Sequence, residues 1–509
     1  MWDVILAISI FLYYVAIKQR KKSSRLPPSP PGQLLFGNAL EIRKAPFLWA
    51  KLNEYAQTYG GIYTFHLLGR PTVVLNAPNA GVELLEKRAT NFATRPPIHM
   101  AELSGWAEAI LFIPYGPCLR SYRKLLHQTL NPRATLDFQS LQIQEVRKLM
   151  KRLLISPEDF LDHAKLYAGA VSIRIAYGHT ARDFNDEFIQ AAEEFMGALS
   201  EAILPGKWLV ETIPLMRYIP SWFPAATFKR KAEEWARLTV KYRQAPFDYV
   251  LRNMASGTAE SSFTSKLLEP EDGSQVSDSE KEMIKVRPLT CIPTGHQPVK
   301  QIVASHLYGA GADTTSSIIQ SFFLAMTLYP DVQSAAQAEL DLYLTTKRTL
   351  TIADREHLPY THAIVMESLR WHPVTNIIAR RTKEDEFIGE WVVPSGTGML
   401  HNKETYSDPY TFKPERFLGD EPDSDPTTYA FGFGRRVCPG SHIALQSLWL
   451  VISNVLANFE ISKFRLPDGN EVTPMEEYSS GILSRPLPFK NSIKPRSLAS
   501  QALVEEAQL

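Results

Sequence analysis

The sequence predicts a mainly α chain with a small β subdomain, arranged around one cysteine loop. Three observations carry this. Two short strand patterns, Ile62 to Phe65 and Thr72 to Leu75, flank the turn Gly69-Arg70-Pro71. Apolar residues at helical spacing dominate most of the chain beyond them, notably over 82–88 and 141–202. An apolar run just past Cys438 (Ile443, Ala444, Leu445, then 448–450) reads as a buried helix.

Composition narrows the function class. The chain has 509 residues, of which 44% are hydrophobic and 21% charged, as in ordinary globular proteins. Lys+Arg number 55 against 54 Asp+Glu, so no nucleic-acid footprint is visible. Three cysteines, Cys118, Cys291 and Cys438, make no disulfide framework and suit a reducing compartment.

The first 25 residues stand apart. An apolar run over 4–17 is followed by Lys18, Arg20, Lys21, Lys22 and Arg25, while Asp3 precedes it. A signal peptide has its positive charge on the other side, so the pattern predicts an uncleaved transmembrane anchor over 1–17. The basic flank places everything after it on the cytosolic side. Residues 18–32 form a basic and Pro-rich hinge, ending in an extended run of prolines. One large domain over 33–497 and a tail over 498–509 complete the organisation.

Within the domain, residues 47–60 have helical spacing, and 114–127 open a basic helix carrying Leu119 and Arg123. Residues 209–224 are apolar, aromatic and broken by proline, which suits an interfacial patch as well as core. Residues 256–279 read as a polar surface loop. Residues 286–301 hold three prolines and no period, and interrupt a helical pattern running from Ile284 into Ile302. A retained intron or a surface insertion accounts for that break; Cys291 and His296 inside it do not read as a metal pair.

The next helix carries polar and flexible residues where stability asks for none. Gly309 and Gly311 each cost about 1 kcal/mol against Ala in a helix interior. Asp313 and Thr314 add polar groups beside them. Close approach of a flat cofactor and a diatomic ligand explains the glycines. Thr314 can bond back to a carbonyl and bend the helix, and Asp313 can feed protons through water. Glu367 and Arg370 stand at i and i+3 among apolar neighbours, and Arg416 lies between Phe412 and Phe417.

In the Cys438 loop, Gly434 and Gly440 allow tight turns and close approach. Pro439 fits a helix start. A sulfur before a helix N-terminus, with Arg435 and Arg436 beside it, is held as thiolate and has the ingredients of a lone metal ligand. The spacing of Phe431, Gly434, Arg436, Cys438 and Gly440 resembles the haem-binding loop of the cytochrome P-450 superfamily. Ala310-Gly311-x-Asp313-Thr314, Glu367-x-x-Arg370 and the segment ending in Arg416-Phe417 resemble further motifs of that family, in the same order along the chain. The likeness is closest to fungal microsomal members of secondary metabolism.

The resemblance implies the cytochrome P-450 fold and a haem b (heme b) cofactor, with Cys438 as the iron ligand. It implies contacts to haem from Phe431, Gly434, Gly440 and Arg436. Arg123, and one of Arg380 and Arg381 with Arg380 preferred, would reach the propionates; Leu119 stands where the family has a tryptophan donor. Asp313 and Thr314 would deliver protons for O–O cleavage, and Glu367, Arg370 and Arg416 would form a buried network under the loop. It implies a haem-thiolate monooxygenase using O2 on a small hydrophobic substrate. No flavin or nicotinamide fingerprint is present, so electrons come from an NADPH-dependent flavoprotein reductase docking near Arg435, Arg436, Arg120 and Lys124. The site is the endoplasmic reticulum membrane, single-pass, facing the cytosol. Two alternatives remain: a haem-thiolate isomerase or dehydratase, against which an intact Asp313-Thr314 pair argues, and a non-catalytic haem binder. The last is motivated by Leu119, by 286–301 and by a shortened connection between Gly398 and Tyr406.

Overall fold

Helical spacing after Phe47 becomes α1 (Leu48–Tyr59), which buries Leu52 and Tyr55. The two strand patterns become β1 (Ile62–Leu67) and β2 (Arg70–Leu75), antiparallel with Ile62 opposite Leu75. This is a computed structural model, and it describes residues 26–33, 36–67, 70–204, 206–269, 296–377, 379–383, 391–481 and 483–506. The anchor expected over 1–17, the basic cluster after it and residues 286–295 lie outside these. Among the described residues no helix is long and apolar enough to cross a membrane.

A series of helices comes next: α2 (Pro117–Leu130), α3 (Gln139–Ile155), α4 (Phe160–Tyr177), α5 (Glu187–Ala202), α6 (Thr227–Ala255) and α7 (His296–Leu328). After α8 (Pro359–Trp371) come β3 (Arg380–Arg381) and β4 (Trp391–Pro394). These join the first sheet in the order β1-β2-β4-β3, with β2 and β4 parallel. Then α9 (Ser441–Asn458) leads into a second sheet of β5 (Phe459–Arg465), β6 (Glu471–Val472) and β7 (Asn491–Pro495), ordered β6-β5-β7.

The long helix α7 organises the rest. Its 33 residues span about 50 Å, and its apolar residues run all round rather than along one stripe, as in a helix buried on every side. Its first half shares a core with Tyr122 of α2, Phe195 of α5 and Tyr242 of α6. Its second half shares another with Leu149 of α3, Ile364 of α8 and Leu450 of α9.

Four expectations change. The glycines of α7 serve helix packing rather than cofactor approach: a Cβ on Gly309 would lie 2.5 Å from the Tyr242 hydroxyl, and one on Gly311 would lie 2.5 Å from Ser172 Oγ. Of the break expected over 286–301, residues 296–301 belong to α7, and 286–295 lie outside the described residues. Within 256–269 the polar residues are not all loop. Ser262 and Ser265 cap each other reciprocally and start a helix, Phe263–Leu268, whose first three residues are buried. The tail is also structured: Leu498–Glu506 is helical and buries Val504 in the core with α3 and α9.

Candidate active site

The Cys438 loop is shaped by two left-handed glycines. Gly432 has φ +75° and Gly434 has φ +54°. At Gly434 a Cβ would also collide with the Leu85 carbonyl oxygen, so the loop lies directly on the helical turn Val82–Lys87. The Gly434 N–H donates to Glu86 of that turn, and Phe433 is buried against Leu84 and Leu85. Phe431 is partly buried and packs on the core shared by α7 and α9; its carbonyl accepts the Cys438 N–H at 2.8 Å. Gly440 caps α9 at φ −93°, a conformation open to any residue, so it needs no glycine for its turn. The helix starts at Ser441, two residues after Pro439.

The electrostatics of Cys438 differ from the expectation. The Gly440 N–H and the Arg123 guanidinium favour its thiolate, but burial outweighs both and pushes the thiol up. Arg435 is exposed and Arg436 points elsewhere. The helix end therefore does not ionise the sulfur by itself, whereas coordination to a metal deprotonates a thiol outright.

Four guanidiniums converge beside this loop. Arg123 Nη1 donates to the Val437 carbonyl at 2.7 Å, next to the cysteine. Arg436 donates to the carbonyls of Ala93 (2.6 Å), Ile110 (2.9 Å) and Ile113. Arg380, 3% exposed, donates to the Phe433 carbonyl at 3.1 Å and the Phe92 carbonyl at 3.4 Å. Arg95 donates to the Ala379 carbonyl at 2.8 Å. Burial lowers all four, Arg380 to about 10 and Arg436 to about 9, and repulsion from neighbouring arginines adds to it at Arg95 and Arg436. The buried Nε atoms of Arg95 and Arg380 have no partner. Such a cluster, held by carbonyls and short of anions, is costly unless a multiply charged anion completes it. A haem, with two carboxylates and an iron beside a cysteine, fits that need.

Arg95 is not legible as a site residue in the sequence. The one signal is a charge inside the apolar stretch Phe92-Ala93-Thr94-Arg95-Pro96. Arg381, the neighbour of Arg380, is exposed; its N–H pairs with the Thr94 carbonyl at 2.8 Å. Leu119 is 1% exposed and packs beside Tyr122 and Leu126, offering no hydrogen bond.

On α7, Ala310 is exposed and 311–314 are partly so, although Ile302 to Ser305 and Thr315 to Ile319 around them are buried. Thr314 Oγ1 donates back to the Ala310 carbonyl at 2.6 Å. Asp313 faces Arg485 at 3.6 Å; burial pushes its carboxyl up, against the pull of Arg485 and Lys165. α7 also packs on α9, the helix that follows Cys438.

Below the loop, Glu367, Arg370 and Arg416 are brought together with side chains no more than 1% exposed. Arg370 grips Glu367 with two 2.8 Å bonds, and Arg416 Nε reaches the same carboxylate at 3.2 Å. The Lys413 N–H adds a bond at 2.8 Å. The remaining donors collect backbone: Arg370 takes the carbonyls of Leu400 (3.0 Å) and Pro409 (2.7 Å), and Arg416 takes that of Ser407 (2.5 Å). The short connection after Gly398 thus closes on the network. Its start is a helical turn, Gly396–Leu400, capped by Ser395, rather than a continuation of β4.

The family model for cytochrome P450 matches residues 27–493. Several fungal proteins are similar throughout. A cytochrome P450 monooxygenase of Armillaria gallica is 35% identical over 99% of this chain and 98% of its own length. Cytochrome P450 monooxygenase 208 of Postia placenta is 34% identical over 98% and 96%. Cytochrome P450 monooxygenase claR of Ampulloclitocybe clavipes is 34% identical over 98% and 91%. With this fold and a cysteine loop fitted to haem b, the chain belongs to the cytochrome P450 family of monooxygenases.

Proposed function

We propose that this protein is a haem-thiolate monooxygenase in which Cys438 would ligate the haem iron, acting on a small apolar metabolite of fungal secondary metabolism. The observation that carries the reading is the set of four guanidiniums, Arg95, Arg123, Arg380 and Arg436, short of anions beside a partly buried cysteine. When bound, a thiolate-ligated haem activates O2 and favours O–O cleavage.

The chain's own groups do the rest. Arg95, Arg123, Arg380 and Arg436 would hold the propionates. The Gly440 N–H donates to Cys438 Sγ and moderates its charge. The Asp313 carboxylate takes protons on its Arg485 side and passes them toward Thr314 Oγ1. The Glu367 network fixes the backbone under the loop, a role suited to buried bidentate pairs.

Electrons come from an NADPH-dependent flavoprotein reductase. Exposed Arg120, Lys124 and Arg435 rim an open recess of about 310 Å³, and their charge suits an acidic flavoprotein surface. Arg436 drops out of the docking set, because its donors are turned inward. The protein is held at the endoplasmic reticulum membrane by residues 1–17, with the catalytic domain in the cytosol. A second contact is the patch of Leu215 (76% exposed), Tyr218 (75%) and Trp222 (79%), which suits an interface. Substrate then arrives from the membrane side; a terpenoid, polyketide or indole-derived compound fits.

The test is reconstitution of the full chain with an NADPH-dependent fungal reductase in membranes, supplied with apolar metabolites and isotopically labelled O2. One labelled oxygen atom in the product, dependent on NADPH, is the expected result. A product that forms without labelled oxygen or without reductase removes the monooxygenase reading.

A further inference from the structure

Away from the cysteine loop, a second set of polar groups is buried without partners. Arg243 lies on α6 and turns toward α7. Its Nε and Nη2 are buried and bond to nothing, and the same is true of His306 Nδ1 on α7 and of the Tyr177 hydroxyl on α4. The charge of Arg243 is felt at His306, and Glu108, Tyr122, Tyr177 and Tyr242 are its own charged or polar neighbours. Tyr242 is already committed, donating to the Ser305 carbonyl at 2.7 Å. Glu108 is not bonded to either orphaned nitrogen, and burial pushes its carboxyl toward the protonated form. The guanidinium is thus incompletely neutralised, with two donors aimed into the protein. Native structures seldom leave buried donors so, and each such group calls for an explanation.

The position on α7 supplies one. His306, Ala310 and Thr314 succeed each other at four-residue spacing along one side of the helix. Ala310, midway, is exposed between the buried stretches Ile302 to Ser305 and Thr315 to Ile319. The polar cluster therefore stands two turns from Thr314 on the same side, about 12 Å along the axis. We propose that Arg243 and His306 form a carboxylate-binding subsite, so that the substrate is an apolar acid. Its carboxylate binds Arg243 Nε and Nη2, with His306 Nδ1 as a further donor, and its apolar body runs past Ala310 toward Thr314. Charge and shape then fix which end of a largely featureless molecule reaches the reacting centre. The proposal rests on the monooxygenase reading and adds the class of substrate to it.

The full-length holoprotein, reconstituted in lipid nanodiscs at neutral pH, is titrated with dodecanoic acid and with dodecan-1-ol while the Soret shift is followed. The wild type binds the acid about tenfold more tightly than the alcohol, as an added charged pairing in a dry site gives. Arg243→Gln removes that preference by weakening the acid alone, and Glu108→Gln, at a residue that bonds neither orphaned nitrogen, leaves it in place. Equal affinity for acid and alcohol in the wild type overturns the subsite, and so does a preference that survives Arg243→Gln. Where Arg243→Gln fails to hold haem, the wild-type comparison decides: a preference for the acid supports the subsite and equal affinity overturns it. A holoprotein whose Soret band neither ligand shifts contradicts the carboxylate subsite, while a chain that takes up no haem at all removes the monooxygenase reading beneath it.

Discussion

Arg485, in the C-terminal loop, stands 3.6 Å from Asp313 in the middle of α7. Burial pushes the Asp313 carboxyl up, and the charge of Arg485 is the largest force opposing it. Arg485→Gln leaves only Lys165 to oppose burial, so Asp313 gains its proton at higher pH. A relay that needs the carboxylate then loses activity on the acid side, and the acid limb of turnover moves toward neutrality. A pH profile of NADPH-coupled turnover reads this directly. An unmoved acid limb removes Arg485 from the relay.

Glu367→Ala strands two buried guanidiniums at once, since Arg370 and Arg416 share that carboxylate. Breaking a buried pair costs about 3–5 kcal/mol. The variant is expected to lose most haem incorporation and to unfold at lower urea concentration. Normal haem content at wild-type expression would show that the network is dispensable.

The two glycines nearest the cysteine separate sharply. Gly434→Ala meets the Leu85 carbonyl and must adopt φ +54°, a conformation costing about 1–2 kcal/mol for an L-residue before any clash is counted. It should dislodge the loop and sharply reduce bound haem. Gly440→Ala keeps φ −93° and has nothing nearer than Cys438 Sγ at 4.0 Å, so it should retain haem at near wild-type levels. Measured haem-to-protein ratios test both, and the reverse order contradicts the geometry.

Arg95 gives a prediction in which two readouts move in opposite directions. Its charge is opposed by Arg380 and Arg436 and by its own burial. Arg95→Ala should therefore raise the stability of the haem-free chain by about 1–3 kcal/mol, by removing a buried, incompletely bonded donor. It should also speed haem loss to a scavenging apoprotein. Haem loss at the wild-type rate would mean that Arg95 faces no propionate.

Much of this architecture can be read from residue order, and the exceptions have physical causes. Helices α1, α3 and α5 carry the apolar periodicity that tertiary packing reinforces, whereas β1 and β2 show as short apolar runs on either side of a turn and α4 is buried nearly all round. Glu367 and Arg370 are visible as a charged pair in an apolar run, and such pairs must satisfy each other when buried. The glycines of α7 are visible as costly, but their cause lies on other helices, in Tyr242 and Ser172, which no local pattern exposes. The same holds for Arg95 and Arg243, whose neighbours come from distant parts of the chain. The thiol of Cys438 departs from expectation because a helix end, weighed alone, leaves out the burial that outweighs it.

The central claim is that Cys438 ligates haem iron in a cavity braced by arginines. The measurement that reaches it most directly is the carbon monoxide difference spectrum of the reduced full-length protein, taken beside that of Cys438→Ser. The wild type is predicted to show the long-wavelength Soret band of thiolate-ligated haem, and the variant to lose it. A wild-type band typical of imidazole or neutral thiol, or a thiolate band that persists in Cys438→Ser, would contradict the account.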